Sequence, residues 1–160
     1  APERIAEARE RIKGPPAHKD WVWAKETLLL DALIARKSGV EVEVQAIQVG
    51  PVVCLSNPAE YFVSYGLQLK KRSGFPMTFP VELANGCVGY VPDEEAFGPN
   101  GGGYETRLTS YSNLEITAGT QFMNVGLELA AKMKPAKLPE RPNGPVGKPW
   151  AYGDQPPQLK

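Results

Sequence analysis

The chain has 160 residues, of which 42% are hydrophobic and 22% are charged, and its formal net charge is +0. This length and composition are typical of one globular domain that is large enough to bury a core. The balanced charge argues against a nucleic-acid-binding protein, and the sequence contains neither a signal segment nor the ~20-residue apolar run of a membrane span.

Two helices are predicted near the amino terminus. The first extends from Pro2 to about Lys13 and is ended by a Gly-Pro-Pro sequence. The second is a long helix from Trp21 to about Lys37, for which Asp20 is the predicted N-cap. Apolar residues occupy more than one face of this second helix, so we expect it to pack deep within an assembly.

The middle of the chain predicts three strands and one helix. Residues 40–46 alternate between apolar and polar, and the phase changes at Ala46 and Ile47, which indicates a bulge or burial of both faces. Residues 52–55 form a short apolar run that is typical of a strand inside a covered sheet. A helix is predicted from Pro58 to about Arg72, and a strand over residues 79–84 is placed at a sheet edge by Pro80.

The remainder of the chain predicts short elements, one further helix and a tail. An Asn85-Gly86 turn precedes an extended segment over 88–91, a small helix follows Pro92, and residues 98–103 form a glycine-rich loop. Thr117 is predicted to cap a helix that reaches about Lys134, with four apolar residues facing inward: Phe122, Val125, Leu129 and Met133. Residues 135–160 form a proline-rich tail that is either disordered or extended along a neighbouring surface.

Strands that alternate with helices predict an α/β fold, with a layered sheet and flanking helices. The domain occupies residues 1–134, and the extended tail occupies residues 135–160.

The sequence N-P-A-E at 57–60 allows two interpretations. Asn57 followed by Pro58 and Glu60 matches a helix capping box, which is a purely structural role. The same residues directly follow an apolar strand, where open α/β sheets gather ligands, so Glu60 is also a candidate metal ligand.

Tyr90 and Tyr104 lie at similar junctions, one after a turn and one after a glycine run. Packing with a hydrogen-bonded hydroxyl is the ordinary role of tyrosine. A tyrosinate ligand needs a nearby cation, because a free phenol has a pKa of about 10. Both residues are therefore candidates for a site, and packing is the alternative.

Other reactive side chains lack a supporting pattern. The single histidine, His18, lies in a polar connection and is interpreted as a solvated loop residue. Cys54 resembles a small buried hydrophobe, and a disulfide with Cys87 is possible but not needed by a chain of this size. Neither a zinc-binding Cys/His pattern nor a hydrolase nucleophile motif is present in the sequence.

The order of the motifs over residues 20–134 resembles the neutral/alkaline non-lysosomal ceramidase family, which are zinc amidases that cleave the N-acyl bond of ceramide. The similarity is carried by these segments in this order: W-A-K-E-T-L-L-L, V-E-V-E-V-Q-A-I-Q-V-G, N-P-A-E, L-A-N-G-C-V-G-Y-V-P, G-G-Y-E and the last helix. The N-G-x-x-G-Y-V-P run with Y-E downstream is the most specific of them.

The resemblance implies a role for each candidate. Glu60 and Tyr90 would bind zinc, and Tyr104 would lie beside the reacting carbonyl and act in catalysis. The substrate would be ceramide or a related lipid amide, hydrolysed by a zinc-activated water, and a secreted or periplasmic location is favoured.

The family has two further zinc ligands, both histidines upstream of the matched stretch, and His18 fits neither motif. The resemblance therefore implies that this chain is the C-terminal portion of a larger α/β catalytic domain. An upstream segment of that domain, or a second chain, would carry the two histidines. That the chain begins at Ala1 is interpreted as a sign of a processed product or a fragment.

The alternative function is a non-catalytic α/β subunit or interaction module derived from the same fold, in which Glu60 only caps a helix. A small hydrolase that acts independently through another site is a further possibility. A companion polypeptide that carries histidines would favour the amidase.

Overall fold

The structure is a computed structural model, and it describes residues 2–16, 18–37 and 39–140. The helices are α1 (Pro2–Arg11), α2 (Lys19–Arg36), α3 (Val63–Arg72) and α4 (Ala118–Ala131), with a 3-10 turn at Glu94–Phe97. The strands are β1 (Gln45–Val49), β2 (Val52–Ser56), β3 (Glu60–Tyr61), β4 (Met77–Val81) and β5 (Tyr90–Val91).

A three-stranded sheet in the order β1-β2-β4 forms the centre of the domain. β1 and β2 are antiparallel, whereas β2 and β4 are parallel. Val53 and Leu55 of the central strand are fully buried in a core that includes Leu69 of α3 and Phe122 of α4. The predicted α/β fold with flanking helices is thus confirmed, as are the central strand and the edge position of the strand that contains Pro80. The prediction that the central strand lies inside a covered sheet holds for one face only, since Val53 and Leu55 are its buried residues.

The opposite face of this sheet is apolar and open. Ile47, Cys54 and Phe79 are opposed across the three strands, and the side chains of Ile47 and Phe79 are 56% and 49% exposed. Neighbouring positions on the same face are also apolar: Val49, Val52, Met77 and Val81. Nothing in the described part of the chain covers this face, which we call the open sheet face.

Helices α1 and α2 pack against each other as an antiparallel helical hairpin. The N-cap of the long helix α2 differs from the prediction. The N-cap is His18, whose Nδ1 accepts a hydrogen bond of 3.2 Å from the backbone N–H of Asp20. Asp20 therefore lies inside the first turn, where its negative charge interacts favourably with the positive end of the helix dipole. Trp21 Nε1 donates to the carbonyl oxygen of Ile12 at 3.0 Å, which ties the two helices together.

The apolar residues of α2 remain largely uncovered. Only Ala24 is buried, while four large apolar side chains are exposed: Val22, Leu29, Leu33 and Ile34. The sequence pattern predicted deep packing, and the described residues do not supply the surface for it. Among those residues, the structure contains no helix that combines the length and the apolarity needed to cross a membrane.

Several predictions about elements were wrong in detail. The strand predicted over 79–84 is β4 at Met77–Val81, and the helix predicted from Pro58 is α3, which begins at Val63. The strand predicted at 40–46 is β1 at Gln45–Val49, because its partner β2 ends at Ser56, opposite Gln45, and leaves 40–44 without a neighbour to pair with. On α4, Val125 is exposed rather than inward-facing. The buried side of that helix carries instead Phe122, Met123, Gly126 and Ala130.

The first residues of the tail lie beside the β1–β2 turn. Residues 135–140 contain no helix or strand, and the N–H of Ala136 donates to the carbonyl oxygen of Gly50 in the β1–β2 turn. The predicted extended tail otherwise falls on residues 141–160, which lie outside the described residues.

The stacked, buried tyrosines Tyr61 and Tyr65 should make the free energy of unfolding fall at alkaline pH. Their ring centroids are 4.6 Å apart, and burial raises the pKa of both phenols. Unfolded tyrosine has a pKa of about 10, so above that pH the unfolded chain releases protons that the folded chain keeps. The stabilisation is therefore complete below about pH 10 and is lost as the pH rises towards the folded pKa values.

We expect the midpoint of thermal unfolding to fall continuously above about pH 10. Tyr61→Phe should show a shallower fall, although at neutral pH it loses the hydrogen bond that its hydroxyl donates to the Gly119 carbonyl oxygen. Calorimetric scans of both proteins at several pH values provide the measurement. Identical slopes would contradict the assignment to Tyr61.

Candidate active site

A second, two-stranded sheet brings Glu60 and Tyr90 side by side. β3 and β5 pair in parallel with Glu60 opposite Tyr90 and Tyr61 opposite Val91. The Glu60 N–H donates to the Gly89 carbonyl oxygen at 2.9 Å. Because opposed residues of a ladder project to the same face, the carboxylate and the phenol share one side of this small sheet.

The capping-box interpretation of Glu60 is wrong. Helix α3 begins at Val63, three residues beyond Glu60, and its N-cap is Phe62. The buried side chain of Asn57 accepts a hydrogen bond from the Ala59 N–H at 2.9 Å, which closes a local turn instead of a helix end.

Long-range backbone hydrogen bonds explain this difference. Residues 57–62 form a series of bonds with 81–91, including Val88 N–H to the Pro58 carbonyl oxygen at 2.9 Å and Phe62 N–H to the Val91 carbonyl oxygen at 3.3 Å. These bonds satisfy the backbone N–H and C=O groups that would otherwise be paired within a helical turn. The Glu60 side chain is consequently not a helix cap.

Gly89 allows the chain to pass close to the segment that supports Tyr90. Its φ of 73° lies in the left-handed region. A Cβ atom at this position would lie only 2.1 Å from the Tyr111 carbonyl oxygen and 2.2 Å from Ser112 Oγ. Ser112 Oγ accepts a hydrogen bond from the Tyr90 N–H at 2.9 Å, so the tight approach holds the Tyr90 backbone in place.

The turn at 109–112 is itself braced from two sides. The fully buried Thr109 accepts a hydrogen bond at its Oγ1 from the Ser112 N–H at 2.9 Å. Glu26 of α2 accepts from both the N–H and the hydroxyl of Ser110, at 3.1 and 2.6 Å. These contacts attach the α1–α2 pair to the segment beneath Tyr90.

Tyr104 completes an aromatic row across the site. Its ring meets the Tyr90 ring edge-on with centroids 5.6 Å apart, and it meets Trp23 of α2 in the same manner at 5.7 Å. Its hydroxyl lies 3.1 Å from the hydroxyl of Tyr111. The side chain is 51% exposed, so the phenol is positioned by its neighbours and still faces the open side.

The electrostatics favour the protonated form of two phenols at the site, Tyr90 and Tyr111. Hydrogen bonding to the Glu60 carboxylate, followed by burial and the charge of Glu60, raises the pKa of Tyr90. Hydrogen bonding to Tyr104 raises the pKa of Tyr111. Tyr90 can therefore become an anionic ligand only if a cation outweighs the effect of Glu60.

The donor set fits part of a zinc site. One carboxylate and one phenol lie together, whereas zinc uses three or four protein ligands. Within residues 2–16, 18–37 and 39–140 no group of three or more His, Cys, Asp or Glu side chains is arranged to hold a metal. His18 caps α2, and Cys54 and Cys87 are both free thiols.

Several supporting residues were given no role at the site from the sequence. Trp23, Glu26, Tyr111 and Ser112 all contact the candidate residues or the turn beneath them. Trp23 and Glu26 share a face of α2 by their spacing of three, which is a usable signal. Glu26 and its partner Ser110 are 84 residues apart, and no local pattern predicts that contact.

Comparisons with protein-family models, with curated proteins and with solved structures found no match to this chain. The structure brings Glu60, Tyr90 and Tyr104 together.

Proposed function

We propose that this chain supplies part of the active site of a zinc amidohydrolase that resembles the neutral ceramidases and hydrolyses the N-acyl bond of ceramide or a related lipid amide. The observation that carries the proposal is the placement of the Glu60 carboxylate beside the Tyr90 phenol, with Tyr104 edge-on to the same ring. The alternative role of Glu60 as a helix cap has no support, because no helix starts there.

Glu60 and Tyr90 would hold zinc together with two histidines from a companion segment. When bound, zinc supplies a water molecule of lowered pKa and polarises the amide carbonyl. Tyr90 Oη must release its proton to become a ligand, and the Glu60 carboxylate opposes that release. Zinc occupancy should therefore rise with pH.

Tyr104 would donate a hydrogen bond from its phenol to the oxyanion that develops on the substrate carbonyl. Three contacts favour this role by limiting its movement: the rings of Tyr90 and Trp23 on either side, and the hydroxyl of Tyr111. A donor held in place before the reaction stabilises charge without reorganising, and removing one such donor typically costs about 10²- to 10³-fold in turnover.

The uncovered apolar surfaces support a companion segment. The open sheet face and the exposed residues of α2 lie in the same domain as Glu60 and Tyr90, which among the described residues offer two of the three or four ligands that zinc needs. Exposed apolar patches of this kind mark interaction surfaces. An upstream segment or a second chain that carries two histidines would satisfy both requirements.

Paired substitutions of the two phenols test the proposal in the enzyme reconstituted with its histidine-bearing segment. Tyr90→Phe should lower zinc occupancy, because it removes a ligand oxygen. Tyr104→Phe should keep zinc and lower turnover by about 10²- to 10³-fold. Tyr111→Phe removes only the hydroxyl that contacts Tyr104, so its loss should be much smaller, about fivefold.

Metal analysis and amidase kinetics on the three variants provide the readouts. Loss of zinc in Tyr104→Phe with full zinc in Tyr90→Phe would mean that Tyr104 is the ligand and Tyr90 the oxyanion donor. Unchanged metal and turnover in both would make the tyrosines packing residues, and the non-catalytic module would then be the better interpretation.

A further inference from the structure

Two adjoining grooves lie beside the candidate site, between α1, α2 and the segment after Tyr104. Their volumes are about 350 and 200 Å³, and they share four lining residues: Arg4, Trp23, Thr27 and Arg107. The larger groove is completed by Thr106 and Leu108. Trp23 forms one wall and also contacts Tyr104, so the groove opens next to the aromatic row.

The charge of the larger groove comes from two arginines, Arg4 and Arg107. The acidic residues of the smaller groove, Glu7 and Asp20, both pair with Arg11, at 2.7 and 3.6 Å. Glu7 and Asp20 share Arg11 as their partner, so the charged residues that line the two grooves carry a net charge of +1. Arg4 and Arg107, the two charged residues of the larger groove, have no ion-pair partner among the described residues.

Arg107 is held in place without using its hydrogen-bonding edge. Its guanidinium carbon lies 4.6 Å from the centroid of the Trp23 ring, in a cation–π contact. Stacking uses the flat face of a guanidinium and leaves its N–H groups free to donate two hydrogen bonds to an oxyanion such as phosphate. The contact also reduces the side-chain freedom that would be lost when a ligand binds.

We propose that this groove binds a phosphate group through Arg4 and Arg107, with Trp23 fixing the orientation of Arg107. Two guanidinium groups match a doubly charged oxyanion, and arginine pairs with phosphate through two parallel hydrogen bonds. The ligand is either free phosphate or the phosphate of a small phosphate ester. The site is separate from Glu60 and Tyr90 and does not depend on zinc.

Calorimetric titration of this chain tests the site, with inorganic phosphate and glycerol 3-phosphate as the two probes at ionic strength held constant with chloride. Arg107→Gln and Arg4→Gln should each weaken phosphate binding by about 10- to 100-fold, the usual effect of losing a charge-assisted hydrogen bond. Arg9→Gln is the matched control, because Arg9 is an exposed arginine of the same helix α1 that does not line the groove. It should bind as the unmodified chain does.

The two probes distinguish the ligand sources. Tighter binding of glycerol 3-phosphate supports a phosphate ester, and equal binding supports free phosphate. If neither inorganic phosphate nor glycerol 3-phosphate binds, the proposal is overturned. An equal loss in Arg9→Gln would also overturn it, since the effect would then be a diffuse positive field. If Arg107→Gln fails to fold, Arg4→Gln on the exposed side of α1 decides the outcome, with thermal unfolding as the check of folding.

Discussion

Replacing Glu60 with glutamine is expected to lower the pKa of Tyr90 in this chain and, if the chain is part of the proposed zinc amidohydrolase, to remove turnover from it. The carboxylate of Glu60 is the principal cause of the raised Tyr90 pKa, through hydrogen bonding and then through its charge. Glutamine keeps the size of the side chain and removes the charge. Since Glu60 is not part of a helix cap, the fold should change little.

The expected loss of turnover is large. Substitution of residues that only orient metal ligands typically costs about 10- to 100-fold in affinity or activity, so removing a direct ligand should cost more than about 100-fold. The pKa of Tyr90 is measured by NMR titration of the isolated chain, and zinc content and kinetics are measured on the reconstituted enzyme. The first readout does not need the companion segment.

Glu105→Gln is the matched control. It removes the same charge near the same phenol, but Glu105 is the smallest of the causes that raise the Tyr90 pKa. It should leave the titration nearly unchanged. If Glu60→Gln keeps the wild-type Tyr90 pKa, zinc content and turnover, Glu60 neither raises the pKa of Tyr90 nor binds zinc.

Gly89→Ala is expected to destabilise the fold strongly. Alanine at a φ of 73° is strained, and its methyl group would collide with the backbone of Tyr111 and with Ser112 Oγ. The turn at 109–112 would have to move, and the hydrogen bond from the Tyr90 N–H to Ser112 would be lost. We expect a loss of about 3 kcal/mol or more in the free energy of unfolding.

Gly74→Ala separates strain from collision. Gly74 has nearly the same φ, 76°, but no atom lies within 4 Å of the added methyl group. Gly74→Ala should therefore lower the free energy of unfolding by about 1 kcal/mol, which is the strain of the backbone conformation alone. Denaturant unfolding of the two variants measures the difference. Equal losses would show that the close approach at Gly89 is not important for stability.

The residues of the candidate site could be found from the sequence because each marks a local junction. Tyr90 follows a turn and a glycine, and Tyr104 follows a glycine run, and these signals need only neighbouring residues. The local secondary structure at Glu60 was predicted wrongly, because Asn-Pro followed by Glu favours a helix start when no partner strand is considered.

Local sequence determined the elements whose stability is local. Helices α1 to α4 and the apolar strand β2 follow from periodicity, turn residues and hydrophobic content, all of which act over a few neighbouring positions. The α/β fold follows from their alternation.

Tertiary structure alone decided the pairing of β3 with β5 and the docking of α2. Glu60 and Tyr90 are opposed because backbone groups of 57–62 bond to 81–91, and Trp23 reaches Tyr104 because Glu26 binds the turn at 109–112. Local propensities contribute only a few tenths of a kcal/mol per residue, whereas an unsatisfied buried backbone group costs about 1–3 kcal/mol. The long-range hydrogen bonds therefore prevail over the helix signal at Glu60, and they assemble the site.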